Sequence, residues 1–432
     1  MDASFKTVDW IKDKTIYEVN LRQYTEAGTF KAFESHIPRL KEMGVEVLWF
    51  MPVTPISEKG RKGSLGSYYA CSSYTKLNPE FGTEQDFISL IQLIHKHEMK
   101  VIIDWVANHT GREHEWMQSH PDWFSQDADG NFTERNGWED VVDLNFENQY
   151  MRAALIGAMQ YWVRTFNIDG FRCDMAHLVP LDFWSAARKA SETIKPLFWL
   201  AECEDIAYHS VFDASYAWLW MHETERLVKE ESGVNEIYNI LHDYAAYPKG
   251  AYKLFFTSNH DENTWNGTEY EKYGIAAKVW AVFTFMWKGI PLLYSGQELP
   301  NHKRLAFFDK DPIDWTNSPQ LASFYKTLIQ LRKQYVCIIE GDSFNLPTSS
   351  NQVMAFLRYD HQPEKNAEKQ IILVVLNFSL QIQKVELEHD YLKGQFLNAF
   401  SGLSYSFNKR ESFELMPGDY LVYVKGSPSI EY

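Results

Sequence analysis

Eight times between residues 15 and 296, a short apolar run is set off by polar or helical sequence. The runs are TIYEV (15–19), VEVLWF (45–50), KVIIDW (100–105), GFRCD (170–174), LFWLAE (197–202), a weaker run at Val211–Tyr216, KLFFTSN (253–259) and PLLYSG (291–296). They are continuous rather than alternating, the mark of strands buried on both faces of a parallel sheet. Helical stripes lie between them, at Phe30, Phe33, Ile37 and Leu40, at Phe87, Leu90, Ile91 and Ile94, and at Met151, Leu155, Met159 and Trp162. Eight β/α units predict an α/β fold, a (β/α)8 TIM barrel, over 1–105 and 148–338. The polar, turn-rich stretch 106–147 reads as a short inserted domain leaving the top of the third strand. From 339 the pattern becomes VMAFLRY, KQIILVVLNF, QKVELE, GQFLNAF, SFELMP and DYLVYVK, with Tyr420, Val422 and Val424 alternating. Residues 339–432 are therefore expected to form a C-terminal antiparallel β-sandwich.

Composition narrows the function. An apolar share of 45% with 15 Trp, 24 Tyr and 28 Phe supports a large core and excludes disorder for most of the chain. Forty-two basic against 58 acidic residues, net −16, argue against nucleic acid as a partner. No apolar run approaches the roughly 18 residues of a membrane span. MDASFKTVDWIKDK lacks a basic segment followed by an apolar one, so the expectation is a cytoplasmic protein, or an exported one whose leader is absent from this sequence. Cys71, Cys173, Cys203 and Cys337 form no CxxC pair and read as free thiols. Nothing in the sequence sets an oligomeric state.

In such a barrel the active site lies at the C-terminal ends of the strands. The third strand ends in Asp104, with Asn108 and His109 beyond; the fourth ends in Arg172 and Asp174, the fifth in Glu202, and the seventh in Asn259, His260 and Asp261. A carboxylate cluster of this kind is stable only if ionisation is split, one acid protonated and another charged. Cleavage of a glycosidic bond needs that pairing. Arg172, two residues from Asp174 and so on the same strand face, would keep it ionised. Two other readings are salt-bridged strand ends, and a divalent metal on His109, His260 and the acids. The histidines lack HxH or HExxH spacing, which weakens the metal reading.

These segments resemble glycoside hydrolase family 13, the α-amylase family. Its motif D-x-V-x-N-H stands as Asp104-Trp105-Val106-Ala107-Asn108-His109, G-F-R-x-D as Gly170-Phe171-Arg172-Cys173-Asp174, the lone Glu of the fifth strand as Glu202, and F-x-x-N-H-D as Phe256-Thr257-Ser258-Asn259-His260-Asp261. GSYYACSSYTKLNPEFGT (66–83) and GIPLLYSGQE (289–298) are similar to family stretches near the second and eighth strands. The resemblance implies Asp174 as nucleophile, Glu202 as general acid/base and Asp261 as transition-state stabiliser. It implies that Arg172 sits beside the nucleophile, that His109 and His260 bind sugar hydroxyls, that Tyr69 stacks on the sugar, and that Asp104 is the less directly catalytic acid. The implied reaction is retaining hydrolysis of α-1,4-glucosidic bonds in starch-like polysaccharides or maltooligosaccharides. Asp174 and Glu202 should then lie about 5–5.5 Å apart. Alternatives are a transglycosidase, an α-glucosidase, a cyclodextrin-degrading member, or a non-catalytic carbohydrate-binding homologue, the last disfavoured because all three acids and Arg172 are present.

Departures from the family pattern are informative. The second motif continues as Met175-Ala176-His177-Leu178, leaving His177 as the one polar candidate for the leaving-group side. Ser73 precedes Tyr74 where the family has Asp. No cofactor is required, but Ca2+ is a candidate: Asn108 matches a family calcium ligand, and Asp127-Ala128-Asp129-Gly130-Asn131 loosely resembles a calcium loop. Trp265 reads as a sugar platform, Trp105 and Trp138 as packing. Glu204 and Asp205 are either cleft acids or solvated loop charges.

Overall fold

The eight apolar runs become β1 (Ile16–Val19), β2 (Val47–Phe50), β3 (Lys100–Trp105), β4 (Gly170–Cys173), β5 (Phe198–Ala201), β6 (Ala214–Tyr216), β7 (Tyr252–Phe255) and β8 (Ile290–Tyr294). In this computed structural model, which describes residues 5–316, 318–360 and 369–429, they pair in parallel around a closed barrel, with β1 joined to both β2 and β8. Nearly every residue of these strands is buried, because side chains point alternately into the barrel and onto the surrounding helices. That double burial is why the runs are continuous in sequence.

The helical stripes pack as read. Helix Glu84–Lys96 buries Phe87, Leu90, Ile91 and Ile94 and opens on a reciprocal Thr83–Asp86 capping box. Helix Gln149–Phe166 starts on the Asn148 side chain and stops at Asn167, whose φ of 55° ends the turn. The stripe from Phe30 to Leu40 is split into Phe30–Phe33, a 3-10 turn, and Ile37–Met43. Pro38 in the first turn accounts for the restart, since it has no N–H to continue the preceding helix.

The stretch after β3 carries a small antiparallel ribbon, His109–Gly111 against Val141–Asp143. Beyond the barrel come β9 (Asp342–Asn345), β10 (Val353–Tyr359), β11 (Ile371–Asn377), β12 (Gln383–Glu388), β13 (Gly394–Asn398), β14 (Ser404–Phe407), β15 (Arg410–Leu415) and β16 (Tyr420–Lys425). Six form one antiparallel sheet in the order β9-β10-β11-β16-β13-β14; β12 and β15 form a separate ribbon. The sandwich is lopsided. Val385, Leu387, Phe413 and Leu415 of the ribbon cover one face of the sheet, while Met354, Phe356, Ile372 and Val374 join the barrel's own core. Covered on both sides, β11 is buried throughout. Among the described residues no helix is long and apolar enough to cross a membrane.

One glycine is dictated by the barrel. A Cβ at Gly170 would lie 2.2 Å from the Phe198 carbonyl oxygen on the neighbouring strand. Gly170→Ala is expected to destabilise the protein by at least the roughly 1–3 kcal/mol typical of overpacking; a melting temperature equal to wild type would contradict the tight β4–β5 approach.

Candidate active site

The register of the barrel brings the rim residues together. Asp104 on β3 lies opposite Arg172 on β4, and Arg172 opposite Leu200, two residues before Glu202. Arg172 is fully buried, and its guanidinium serves three acids. Nη1 donates to both oxygens of Asp104 (2.9 and 3.1 Å) and to Asp174 Oδ1 (2.9 Å). Nη2 lies 2.9 Å from Glu202 Oε2, an ion-pair contact too oblique for a hydrogen bond. Nε donates to the Tyr216 hydroxyl at 3.1 Å. Burial works against the Arg172 charge, but Asp104 and Glu202 outweigh it and hold the group well above its ordinary value.

The acids differ in their surroundings. Asp104 faces only donors, Arg172, Trp49 Nε1 (3.2 Å) and the Tyr69 hydroxyl (3.1 Å), which favour its charged form, while burial raises it to about 7. Burial pushes Asp174 and Glu202 upward, and Arg172 opposes it in both. The direct guanidinium hydrogen bond favours charge on Asp174, and that charge in turn raises Glu202. This asymmetry favours a proton on Glu202 over one on Asp174, against the Met175 N–H that favours charge on Glu202. Met175 completes this corner. Its φ of 40° turns the chain sharply after Asp174, and its N–H donates to Glu202 Oε2 at 2.8 Å. A left-handed non-glycine residue beside two paired acids is strain kept where it aims a donor.

His260 is a cation by geometry. The Tyr69 hydroxyl donates to Asp104, so its oxygen must accept from His260 Nε2, 2.7 Å away. On the other side Nδ1 lies 2.5 Å from Glu18 Oε1. Both ring nitrogens thus donate. Burial alone would lower His260, yet the carboxylates of Asp261 and Glu18 raise it to about 9. Asp261 is part-exposed to the cleft, 3.3 Å from Nε2, and burial lifts it above the usual carboxylate range. His109 is its opposite. Burial lowers it to about 4, and its Nδ1 accepts from Asn108 Nδ2 at 3.1 Å, so it is neutral.

These groups border a cleft of about 380 Å³, within the range of small-ligand sites. Tyr69, His109, Asp174, Glu202, His260, Asp261 and Trp265 line it, while Arg172 and Asp104 lie beneath. His177 is exposed on the short turn Ala176–Leu178 and does not line the cavity. Trp265, 53% exposed, stands 5.5 Å from Phe307 and 5.8 Å from Phe308, forming an aromatic wall. Trp105 is core, as expected; Trp138 is not, and borders the cleft beside His109 at 5.1 Å. Glu204 is neither a cleft acid nor a solvated charge, since it is bound by Lys253, Tyr244 and the Leu219 N–H.

Sequence reading missed Glu18, Trp138, Lys62, Phe307 and Phe308. Glu18 had a signal, a charge in the middle of the apolar run TIYEV. Calcium does not fit the residues present. Asn108 Oδ1 is buried without a partner, but the one carboxylate near its amide, Asp143, is taken by Arg135 Nε at 2.7 Å. Six to eight oxygens are needed, and no group of three His, Cys, Asp or Glu side chains converges for a metal among the described residues. At the second candidate loop, the Asp127 oxygens are used by the N–H groups of Asp129 and Asn131 and the Asn131 amide, a hairpin turn.

Fold and rim together define a (β/α)8-barrel protein with paired carboxylates of the glycosidase type. The family profile described as "Alpha amylase, catalytic domain" matches residues 4–138 and 119–196. A noncanonic maltogenic α-amylase, AmyB from Thermotoga neapolitana, superposes with a TM-score of 0.87 at 30% identity, over 96% of this chain and 99% of that one. An α-amylase from Lactobacillus plantarum gives 0.86 at 27%, with the same coverage. "Alpha-amylase MalA" of Haloarcula japonica is 26% identical over 88% of this chain, which spans only 57% of that relative's length. The chain belongs to the α-amylase family, glycoside hydrolase family 13.

The Glu18–His260 pair predicts a pH dependence. A histidine raised to about 9 stabilises the fold fully below its unfolded value near 6.5, and that contribution is lost as pH rises through about 9. Melting temperature measured from pH 6 to 10 should fall across this window, and the fall should shrink in Glu18→Gln. Parallel wild-type and variant curves would contradict the pairing.

Proposed function

We propose that the protein is a retaining α-glucan hydrolase that cleaves α-1,4 bonds of maltooligosaccharides. The observation that carries this reading is the shared guanidinium, which keeps Asp174 charged while Glu202, at the end of the next strand, retains a proton. In the first step a carboxylate oxygen of Asp174 attacks the anomeric carbon. The bond to the leaving oxygen breaks, and Glu202 gives that oxygen its proton. In the second step Glu202 takes a proton from water, whose oxygen displaces Asp174 from the same carbon. Two inversions give net retention. Asp261 and the His260 cation meet the sugar where positive charge and hydroxyl contacts develop in the transition state. His109 adds a neutral ring at the same sugar, and Tyr69, near-parallel to His260 and Phe307, supplies the platform beneath it. Arg172 and Asp104 position these groups from below.

The cleft supports short substrates. Lys62 and Asp140 approach to 3.7 Å at its border, and the Trp265–Phe307–Phe308 wall stands at its rim. The maltogenic name of the Thermotoga relative agrees with small products, and a variant of AmyP, a protein of the same fold, is described in complex with maltotriose. The residue partition that fits this reading is a barrel over 1–105 and 148–338, an insert over 106–147, and a β-domain from 339. His177 has no role in it.

Maltooligosaccharides incubated with the protein and separated by chromatography should yield shorter products. Glu202→Gln should lower that rate by about 10²–10⁴-fold, the contribution of a positioned acid. A wild-type rate in the variant, or no product from any α-glucan, would overturn the reading.

A further inference from the structure

A second cavity, of about 570 Å³, is larger than the cleft and lies on the barrel's flank. Its walls come from the helix Val234–Ala245, the start of β7, the turn before β8, and the β9–β10 edge of the C-terminal sheet. Its charge is inverted relative to the rest of the molecule. His242, Lys249, Lys253, Lys288 and Arg358 line it, and among the described residues no Asp or Glu does. The catalytic cleft has Asp140, Asp174, Glu202 and Asp261 against Lys62 and the His260 cation, and the whole chain carries −16. A concave wall of one sign with low-dielectric surroundings focuses its field on the opposite charge.

The cations are incompletely satisfied. Arg358 is buried, and Nη2 donates to the carbonyls of Ile338 (3.0 Å) and Gly341 (2.7 Å). Its Nε is buried with no partner, and no carboxylate lies within ion-pair distance of it among the described residues. Burial lowers Arg358 to about 10 against the pull of Asp342, and burial with the nearby Arg358 charge lowers Lys288 against the pull of Asp342 and Glu340. Lys249 and Lys288 are exposed at the mouth and make no ion pair among the described residues. Lys253 alone is paired, to Glu204 at 3.4 Å. Around these charges stand ring faces. The hydroxyls of Tyr244 and Tyr247 are held by Glu204, and that of Tyr238 by the Ala355 carbonyl. Lys253 Nζ stands over the rings of Tyr244 (4.5 Å) and Tyr247 (5.0 Å), and all three rings border the cavity.

We propose that this cavity binds a small phosphate monoester carried on a ring. The phosphate would be met by Arg358, Lys288 and Lys249, and the ring by the tyrosines. A phosphate brings nearly two negative charges and three acceptor oxygens, the complement of an orphan guanidinium N–H and two unpaired ammonium groups. A neutral sugar fits less well, because its hydroxyls need acceptors as well as donors, and the described residues of the walls carry no carboxylate. A polynucleotide is excluded by the cavity's size.

The test is calorimetric titration of the full chain at low ionic strength with glucose 6-phosphate, adenosine monophosphate, inorganic phosphate and maltotriose. At least one of the two monoesters should bind, more weakly as salt rises. The Lys249→Ala, Lys288→Ala double variant should weaken it by about tenfold or more. Both lysines are exposed and distant in sequence from the acids, so unchanged melting temperature and turnover show the variant is folded. Four results overturn the proposal: no binding by either monoester, equal affinity in the double variant, displacement by maltotriose, or inorganic phosphate binding as tightly as the monoester.

Discussion

The rim depends on one buried cation. Arg172 has no access to water, and a charge so placed is tolerable only when it is paired. Asp104, Asp174 and Glu202 supply that pairing, while Trp49, Tyr69 and Tyr216 set their rings 5.0–5.9 Å from the guanidinium carbon. The dependence runs both ways. Without Arg172 three buried carboxylates would repel and take up protons; without them the guanidinium would be stranded. It meets the acids unequally, hydrogen-bonded to Asp104 and Asp174 and only in ion-pair contact with Glu202, an asymmetry that favours charge on Asp174.

A second relay extends this order across the barrel. Glu18 holds His260, His260 donates to Tyr69, and Tyr69 donates to Asp104, which returns to Arg172. The chain joins β1, the segment after β7, the loop after β2, β3 and β4. Each member has its proton assigned by its neighbour, so the rings of Tyr69 and His260 are fixed before any ligand arrives. Such preorganisation is where barrel sites gain catalytic power, since nothing must reorient when charge develops.

The barrel and its acids were legible because they obey local rules. Double burial writes continuous apolar runs, and strand ends carry the motif residues. What escaped was set by contacts distant in sequence. Glu18 meets His260 across 242 positions, so its role is invisible beside its neighbours in TIYEV. Phe307 and Phe308 follow β8 in a loop without periodicity, and Trp138 looked like packing until the insert folded it against His109. His177 is exposed on the turn that follows Met175 and is not among the residues that line the cleft. Beside Asn108 the Asp143 carboxylate is already held by Arg135, a contact 8 positions along the chain that the motif does not reveal. In the C-terminal sheet the ribbon pairs β12 with β15 past two intervening strands, a choice that alternation alone does not specify.

The central claim is that Asp174 carries the sugar between the two steps. An activated α-glucosyl or α-maltosyl fluoride needs no protonation of its leaving group, so with Glu202→Gln it should form the intermediate and stall before water attacks. Mass spectrometry of the digested protein should then find one added glycosyl group on the peptide containing Asp174. A glycosyl group on another acid, or product of inverted configuration with no adduct, would contradict the account.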